Sequence, residues 1–280
     1  MRDKDLIIGA YSGDNLIPPT IWINSIIKSG FEGDIVLIAI NMSKELTGGF
    51  NKRVEVVHKP LVGDFLDVYS QRFYHIYNYL NLKNKYRYVI TTDVTDVVFQ
   101  SNPSTFIESN IKDKLIISNG ESILIKNEMW NLENIKSGYG QEELEEISNY
   151  EVQNVGIIAG TQKEVARICN KIYSLAKVAF NHPADQAAYN IILRKKKFSD
   201  ITQFLGIRQG WSVNAGVIAC PTRASEFDPF LLDEKPYIEN DTIKNSNGKE
   251  IVIVHQYNRN DEWLNLVYKR FKVLDNNIDN

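Results

Sequence analysis

Two uninterrupted apolar runs near the N-terminus, Leu6–Tyr11 and Ile35–Ile40, do most to limit what this chain can fold into. Neither alternates apolar with polar residues, so neither suits a strand with one wet face. Such runs belong in a parallel sheet buried on both sides. Between them comes a turn cluster, Ser12-Gly13-Asp14-Asn15, and then Pro18-Pro19. Ile21, Trp22, Ser25, Ile26 and Ser29 follow at helical spacing and stop at Gly30. A third apolar segment lies at Val54–Val57. Strand, helix, strand, strand predicts an α/β fold with a mostly parallel central sheet and helices on both faces.

The rest of the chain continues the pattern. Phe65, Tyr69, Phe73, Tyr77 and Leu80 fall at steps of four and three, which predicts a helix from Asp64 to Leu82. Strands are expected at Tyr88–Thr92, Val97–Phe99, Leu115–Ser118, Val155–Ala159, Asn214–Cys220 and Ile251–His255. The polar, glutamate-rich stretch from Glu121 to Tyr150 reads as short surface helices and loops. Amphipathic spacing predicts helices from Thr161 to Ala179, from Pro183 to Leu193 and from Trp263 to Phe271. The loop-rich 206–250 region has room for a mobile cover. Asn154–Ala159 and Asn214–Ala219 look alike, but no third copy supports a repeat, and similar strand ends account for both. No linker-like or low-complexity stretch divides the 280 residues, so they read as one domain, 1–280.

Composition excludes several classes. Apolar residues at 43% and charged residues at 24% fit a globular chain, not a disordered or coiled-coil one. The net charge of −3 gives no strong field for nucleic acid. Cys169 and Cys220 both sit in apolar patterns and read as core thiols of a reducing compartment. Met1–Asp5 runs straight into a strand without the apolar stretch of a signal peptide, and no run is long enough to span a membrane. The expected location is therefore the cytoplasm. The basic segments Arg194–Lys197 and Tyr268–Lys272 suit either solvated helix C-termini or an anionic inner-membrane surface, and peripheral membrane contact stays open.

The sharpest chemical signal is Thr91-Thr92-Asp93-Val94-Thr95-Asp96. An apolar strand delivers two carboxylates, three positions apart, to its C-terminal end. Ligands of open α/β sheets bind outside the carboxyl ends of strands. Two adjacent carboxylates repel unless a cation lies between them, and a divalent ion with oxygen ligands, Mg2+ or Mn2+, meets that need. An Asx-type turn would use the same residues. His255 ends the Ile251–His255 strand and adds an imidazole, which suits manganese better than magnesium.

These residues resemble the nucleotide-diphospho-sugar glycosyltransferases of the GT-A fold. The resemblance is carried by Arg72-Phe73-Tyr74 with Tyr77 and Leu80, by Tyr88 through Gln100 and by Asn102-Pro103. It continues through Asn154–Gly160, Asp185-Gln186 and Val254-His255-Gln256-Tyr257. A histidine near the C-terminus also resembles the retaining enzymes of family 8. One departure is the spacing Asp93-x-x-Asp96, where the usual motif is Asp-x-Asp. The resemblance implies a single GT-A domain with a nucleotide-binding half at about 1–100 and an acceptor-side half at about 101–280. It implies transfer of a sugar from a nucleotide-diphosphate donor, a UDP-sugar, to a glycan, lipid-linked or protein acceptor, as in polysaccharide biosynthesis. Asp93, Asp96 and His255 would hold the metal on the diphosphate. Ala10, Tyr11, Arg72, Thr92, Asp93, Asn154 and Gly156 would contact the donor. Tyr11 would stack on the base, and Arg72 would offer a fork of donors to phosphate or sugar. Arg72 could equally pair with Asp64 or Asp67 at the surface. Asp185 and Gln186 would lie beside the transferred sugar as catalytic residues, although Asp185 in a first helical turn also suits the helix dipole. Of these, Asp185 is the best-placed general base should transfer invert; the family 8 likeness leans toward retention.

Two other readings compete. A sugar nucleotidyltransferase wants a glycine-rich loop after its first strand, and here Gly13 stands alone in that loop. A non-catalytic carbohydrate- or nucleotide-binding module would not need the acid–imidazole cluster.

Overall fold

The computed structural model describes residues 4–62, 68–83, 85–111, 114–180 and 183–272. Its strands are β1 (Lys4–Tyr11), β2 (Asp34–Ile40), β3 (Val54–Lys59), β4 (Tyr86–Thr92), β5 (Val97–Phe99), β6 (Ile116–Leu124), β7 (Glu151–Thr161), β8 (Thr202–Leu205), β9 (Ser212–Asn214), β10 (Tyr237–Glu239), β11 (Thr242–Lys244) and β12 (Ile253–His255). Seven of them form the central sheet in the order β3-β2-β1-β4-β7-β6-β8. All its pairings are parallel except those of β7, which runs antiparallel to both β4 and β6. The mostly parallel α/β sheet read from the apolar runs is the sheet observed.

Why the runs had to be continuous is visible in β1. Leu6 and Ile8 enter one core, and Ile7 between them enters another on the opposite face. The first core packs against helices Val68–Leu82, Gln162–Ala176 and Asp185–Arg194, through Phe73, Ile76, Ile168 and Ile192 among others. The second packs against helices Ile17–Lys28 and Pro103–Asn110, through Trp22, Ile26, Phe106 and Ile107. Each fully buried Ile or Leu contributes about 1.5–3 kcal/mol, and a polar residue anywhere along β1 would forfeit that on one side.

A second, three-stranded sheet has the order β5-β12-β9. β12 pairs antiparallel with β5 and parallel with β9. Its own core gathers Val98, Val213, Val254 and Trp263, with helix Asp261–Phe271 packed over it. The loop Asp93–Asp96 is the short bridge between the end of β4 in the large sheet and β5 in the small one.

Some expectations shift. The Asn214–Cys220 strand is not formed: only Ser212–Asn214 is extended, and Ala215–Ile218 is a helical turn. The look-alike Asn154 segment lies mid-sheet, hydrogen-bonded on both sides, whereas among the described residues β9 pairs only with β12, whose last residue, His255, lies opposite Asn214. Pairing ends there, and the chain turns. The Glu121–Tyr150 stretch is not all loop and helix, because β6 continues through Glu121 to Leu124 before helices Met129–Tyr139 and Gln141–Ile147. The expected first turn of the Asp64–Leu82 helix, Asp64–Asp67, lies outside the described residues, as does His182. Cys169 and Cys220 are buried free thiols. In the basic segment near the C-terminus, Phe271 is buried, Lys269 pairs with Asp241, and Arg270 donates to Gln100 and to the Asp241 carbonyl. Among the described residues no helix is long and apolar enough to cross a membrane.

Candidate functional site

The sheet order fixes where a ligand can sit. From β1 the chain winds outward to β2 and β3, then returns to place β4 on the other side of β1. Crossovers therefore diverge at the carboxyl ends of β1 and β4, the usual position of a binding crevice in an open α/β sheet. A cavity of about 1150 Å3 opens there.

Asp93 and Asp96 enter it from the end of β4 and His255 from the end of β12. Backbone bonds hold the loop: Asp93 N–H donates to the Gly156 carbonyl at 2.8 Å, and Gln256 N–H donates to the Asp96 carbonyl at 2.8 Å. His255 Nε2 lies 3.4 Å from an oxygen of each aspartate. One ligand atom from each of the three residues falls within 4.8 Å of the others. The other face of the ring is fixed. Asn214 Nδ2 donates to the Gly120 carbonyl at 3.3 Å, which leaves Asn214 Oδ1 to accept from His255 Nδ1 at 2.8 Å. His255 thus keeps its Nε2 lone pair for the cavity, the arrangement typical of a metal-ligating histidine with a supporting partner. Two carboxylate oxygens and an imidazole nitrogen are a donor set that fits a divalent cation. Burial alone would push the Asp96 carboxyl up. The neighbouring His255, Arg259 and Arg72 outweigh that effect and hold it below the ordinary carboxylate range, so it stays available as an anionic ligand.

Gly156, on β7 opposite this cluster, has no room for a side chain. A Cβ there would stand 2.6 Å from His255 Cε1 and 2.8 Å from both Asn154 Oδ1 and Asp93 Oδ2. Glycine is needed because the cluster itself fills that space.

Arg72, on helix Val68–Leu82, also lines the cavity and is buried. Its guanidinium bridges two carboxylates, Asp93 and, at 3.0 Å, Asp185. The alternative surface partners Asp64 and Asp67 lie outside the described residues. Asp185 opens helix Asp185–Arg194, where its Oδ1 also accepts from Gln186 N–H at 2.9 Å. Gln186 donates to Asn131 Oδ1 at 2.9 Å. Asn154 accepts from Gly156 N–H at 2.7 Å and donates to Glu121. Ala10 and Tyr11 line the cavity at the end of β1, and the Tyr11 hydroxyl donates to the Asn15 carbonyl at 2.6 Å.

Ten of the eleven residues singled out in the sequence therefore line one cavity: Ala10, Tyr11, Arg72, Asp93, Asp96, Asn154, Gly156, Asp185, Gln186 and His255. Thr92 does not. It is buried, and its hydroxyl accepts from Trp22 Nε1 at 2.9 Å. Side chains alternate along β4, so Thr92 points into the core and Asp93 out of the strand end.

No protein-family model matches the chain, and no curated protein matches it in sequence. In structure it is similar to WbbM, a bifunctional glycosyltransferase solved in its apo form. The TM-score is 0.56 at 14% identity, and the match covers 96% of this chain and 52% of that one. The chain has a glycosyltransferase-like fold. It spans about half the length of the WbbM chain it matches.

On that fold three residues matter that the sequence reading passed over. Asn214 orients His255. Glu121 sits on the cavity floor, buried, accepting from Asn154 Nδ2 at 2.5 Å and Gln186 Nε2 at 3.5 Å. Glu128 caps helix Met129–Tyr139, taking Asn131 N–H at 2.7 Å, and meets Arg223 at 3.3 Å. Glu121 had a weaker signal than Asp93, because Ser118-Asn119-Gly120 separate it from the apolar run Leu115–Ile117 and hide that β6 continues past it to Leu124.

Proposed function

We propose that this protein is a metal-dependent glycosyltransferase that moves a sugar from a nucleotide-diphosphate donor, a UDP-sugar, to a glycan, lipid-linked or protein acceptor. It does so as a single GT-A domain of the family 8 type, with residues up to about 100 serving the nucleotide and the remainder the acceptor side. One observation carries the reading. Asp93 and Asp96, from one loop, and His255, from the end of a strand far along the chain, meet within 4.8 Å in the large cavity at the switch point of the sheet. The fold shared with WbbM supports it.

Each wall then has a task. Asp93, Asp96 and His255 hold Mn2+ or Mg2+, which when bound acts as a Lewis acid on the departing diphosphate. Tyr11, at the end of β1, faces the base. Arg72 keeps Asp93 and Asp185 in register and presents cationic edges to the donor. Asp185 and Gln186 bind hydroxyls of the transferred sugar. The buried amides of Asn131, Asn154 and Gln186 suit a polyhydroxylated ligand, because a site built of hydrogen-bonding groups rejects ligands that leave them unpaired.

Isothermal titration of UDP with and without Mn2+ tests the reading. The expected result is UDP binding that requires the metal and is lost in Asp96→Ala while circular dichroism is unchanged. UDP affinity that is the same with and without Mn2+ counts against the metal role. Binding of free glycan but not of UDP favours the carbohydrate-binding module instead.

A further inference from the structure

We propose that Trp130 stacks on a sugar ring of the acceptor, so that of the three acceptor classes this cavity takes a glycan. That the glycan is an acceptor rests on the glycosyl-transfer reading of the same cavity. The chain has four tryptophans. Trp22, Trp211 and Trp263 are buried, at 0%, 0% and 3% exposure, whereas Trp130 is 43% exposed. A lone apolar side chain on open surface is ordinary. Trp130 differs, because it lines the cavity that holds Asp93, Asp96 and His255. Its helical turn is also clamped. Buried Glu128 accepts from the backbone amides of Trp130 at 3.4 Å and Asn131 at 2.7 Å, takes the Asn131 side chain at 2.7 Å, and pairs with Arg223 at 3.3 Å. Among the described residues nothing accepts from the Trp130 indole N–H. A fixed backbone carrying an uncommitted ring is what stacking on a ligand requires.

Its place in the cavity points to the acceptor. The consecutive strands β1, β4, β7 and β6 bring Tyr11, Asp93, Asn154 and Glu121 to the cavity in that order. Neighbouring strands lie about 4.8 Å apart, so Tyr11 to Glu121 spans roughly 14 Å. Hydrogen bonds carry on from Glu121 to Gln186 Nε2 at 3.5 Å, and from Gln186 to Asn131 Oδ1 at 2.9 Å, beside Trp130. With the base at Tyr11 and the diphosphate at the acid–imidazole cluster, the Trp130 end is left to the acceptor. The chemistry there suits a glycan. A sugar ring has an apolar C–H face and a rim of hydroxyls. An indole face covers the first, and polar side chains bind the second. The cavity residues tied to the Trp130 turn, Asn131, Gln186 and Arg223, are all polar. A lipid chain would strip water from them and give no hydrogen bond back. Tyr69, the other exposed aromatic of the cavity among the described residues, sits one turn before Arg72 and serves as the comparison.

The probe is an array of immobilised oligosaccharides, read with the parent protein loaded with UDP and Mn2+. Trp130 alone of the four tryptophans is exposed, so iodide quenching of tryptophan emission reports on it. The parent should hold a subset of the array, and the best of these, free in solution, should shield Trp130 from iodide. Trp130→Ala should lose that binding by at least about 10-fold while UDP–Mn2+ affinity stays within about 3-fold. Trp130→Tyr should restore it and Trp130→Leu should not, because stacking needs a ring and not apolar area alone. Glycan binding that survives Trp130→Ala, or that is lost in Tyr69→Ala instead, overturns the assignment. So does shielding of Trp130 by UDP–Mn2+ alone, or by anionic phospholipid vesicles and no glycan. A parent that binds UDP with Mn2+ but no glycan sinks this inference and leaves the transferase reading standing. A parent that binds glycan through Trp130 but never UDP sinks the transferase reading, and the glycan is then a ligand and not an acceptor.

Discussion

Replacing Gly156 with alanine sets two opposed effects against each other. Removing a glycine lowers the entropy of the unfolded chain and ordinarily stabilises by about 0.4–1 kcal/mol. Here the new methyl would lie 2.6 Å from His255 Cε1 and 2.8 Å from Asn154 Oδ1 and Asp93 Oδ2. Real Cβ atoms do not approach so closely, so something must move. His255 cannot swing freely, because it is only 2% exposed and Asn214 holds its Nδ1. Asn154 is tied on one side to Glu121 and on the other to the Gly156 amide itself. Overpacking of this kind costs about 1–3 kcal/mol, which exceeds the entropic gain. Gly156→Ala should therefore lower Tm by about 2–6 °C in a chain of this size. The shift falls on the proposed metal ligands, so Mn2+-dependent UDP affinity should also drop, by about 10–100-fold as when a ligand's support is lost. Thermal unfolding and titration of UDP with Mn2+ read both quantities on one preparation. A variant with the parent Tm and an affinity within about 3-fold would show that the cluster has slack, and the packing argument would be refuted.

Three further outcomes are expected. Asn214→Ala frees His255 to rotate and should cost about 10–100-fold in Mn2+ affinity by titration, with no change if the ring is held by packing alone. Arg72→Met leaves Asp93 and Asp185 without their shared cation. Asp93 keeps 25% side-chain exposure, so the loss should fall at the low end of the buried-pair range, about 3 kcal/mol in urea unfolding, and Arg72→Lys should recover less than half because an ammonium cannot fork to two carboxylates. Glu121 predicts a pH dependence in the metal-free protein. Its pKa rises on folding from 4.5 to about 7, so between those values the folded state binds more proton than the unfolded one and stability falls as pH rises, by at most about 3 kcal/mol. Melts at pH 5 and pH 8 should differ less in Glu121→Gln than in the parent; equal differences would mean that Glu121 is not desolvated.

The fold was legible where burial is two-sided. Continuous apolar runs such as Leu6–Tyr11 have one reading in a chain that must also hide helices, and the central sheet followed from them. The residues of the metal-type cluster were legible too, because Asp93 and Asp96 follow one strand and His255 ends another; their meeting depends on β5, which the loop after β4 carries into the small sheet beside β12. What the sequence hid depends on pairing partners. Asn154–Ala159 and Asn214–Ala219 have nearly the same residues, yet one lies mid-sheet and the other coils as soon as β12 runs out beside it. Thr92 and Asp93 are neighbours, and only the pleat decides which meets the cavity. Glu121 and Asn214 acquire meaning from side chains more than thirty residues away, contacts that no local pattern encodes.

The pairing of β12 with β5, which sets His255 opposite Val97, has a consequence for biogenesis. The acidic loop leaves the ribosome early, but its imidazole partner emerges about 160 residues later. Throughout that interval the nascent polypeptide has two aspartates and no finished pocket, so it cannot sequester a cation prematurely. If the cluster holds an ion as proposed, its capture waits until β12 joins β5, after the body of the fold has been built.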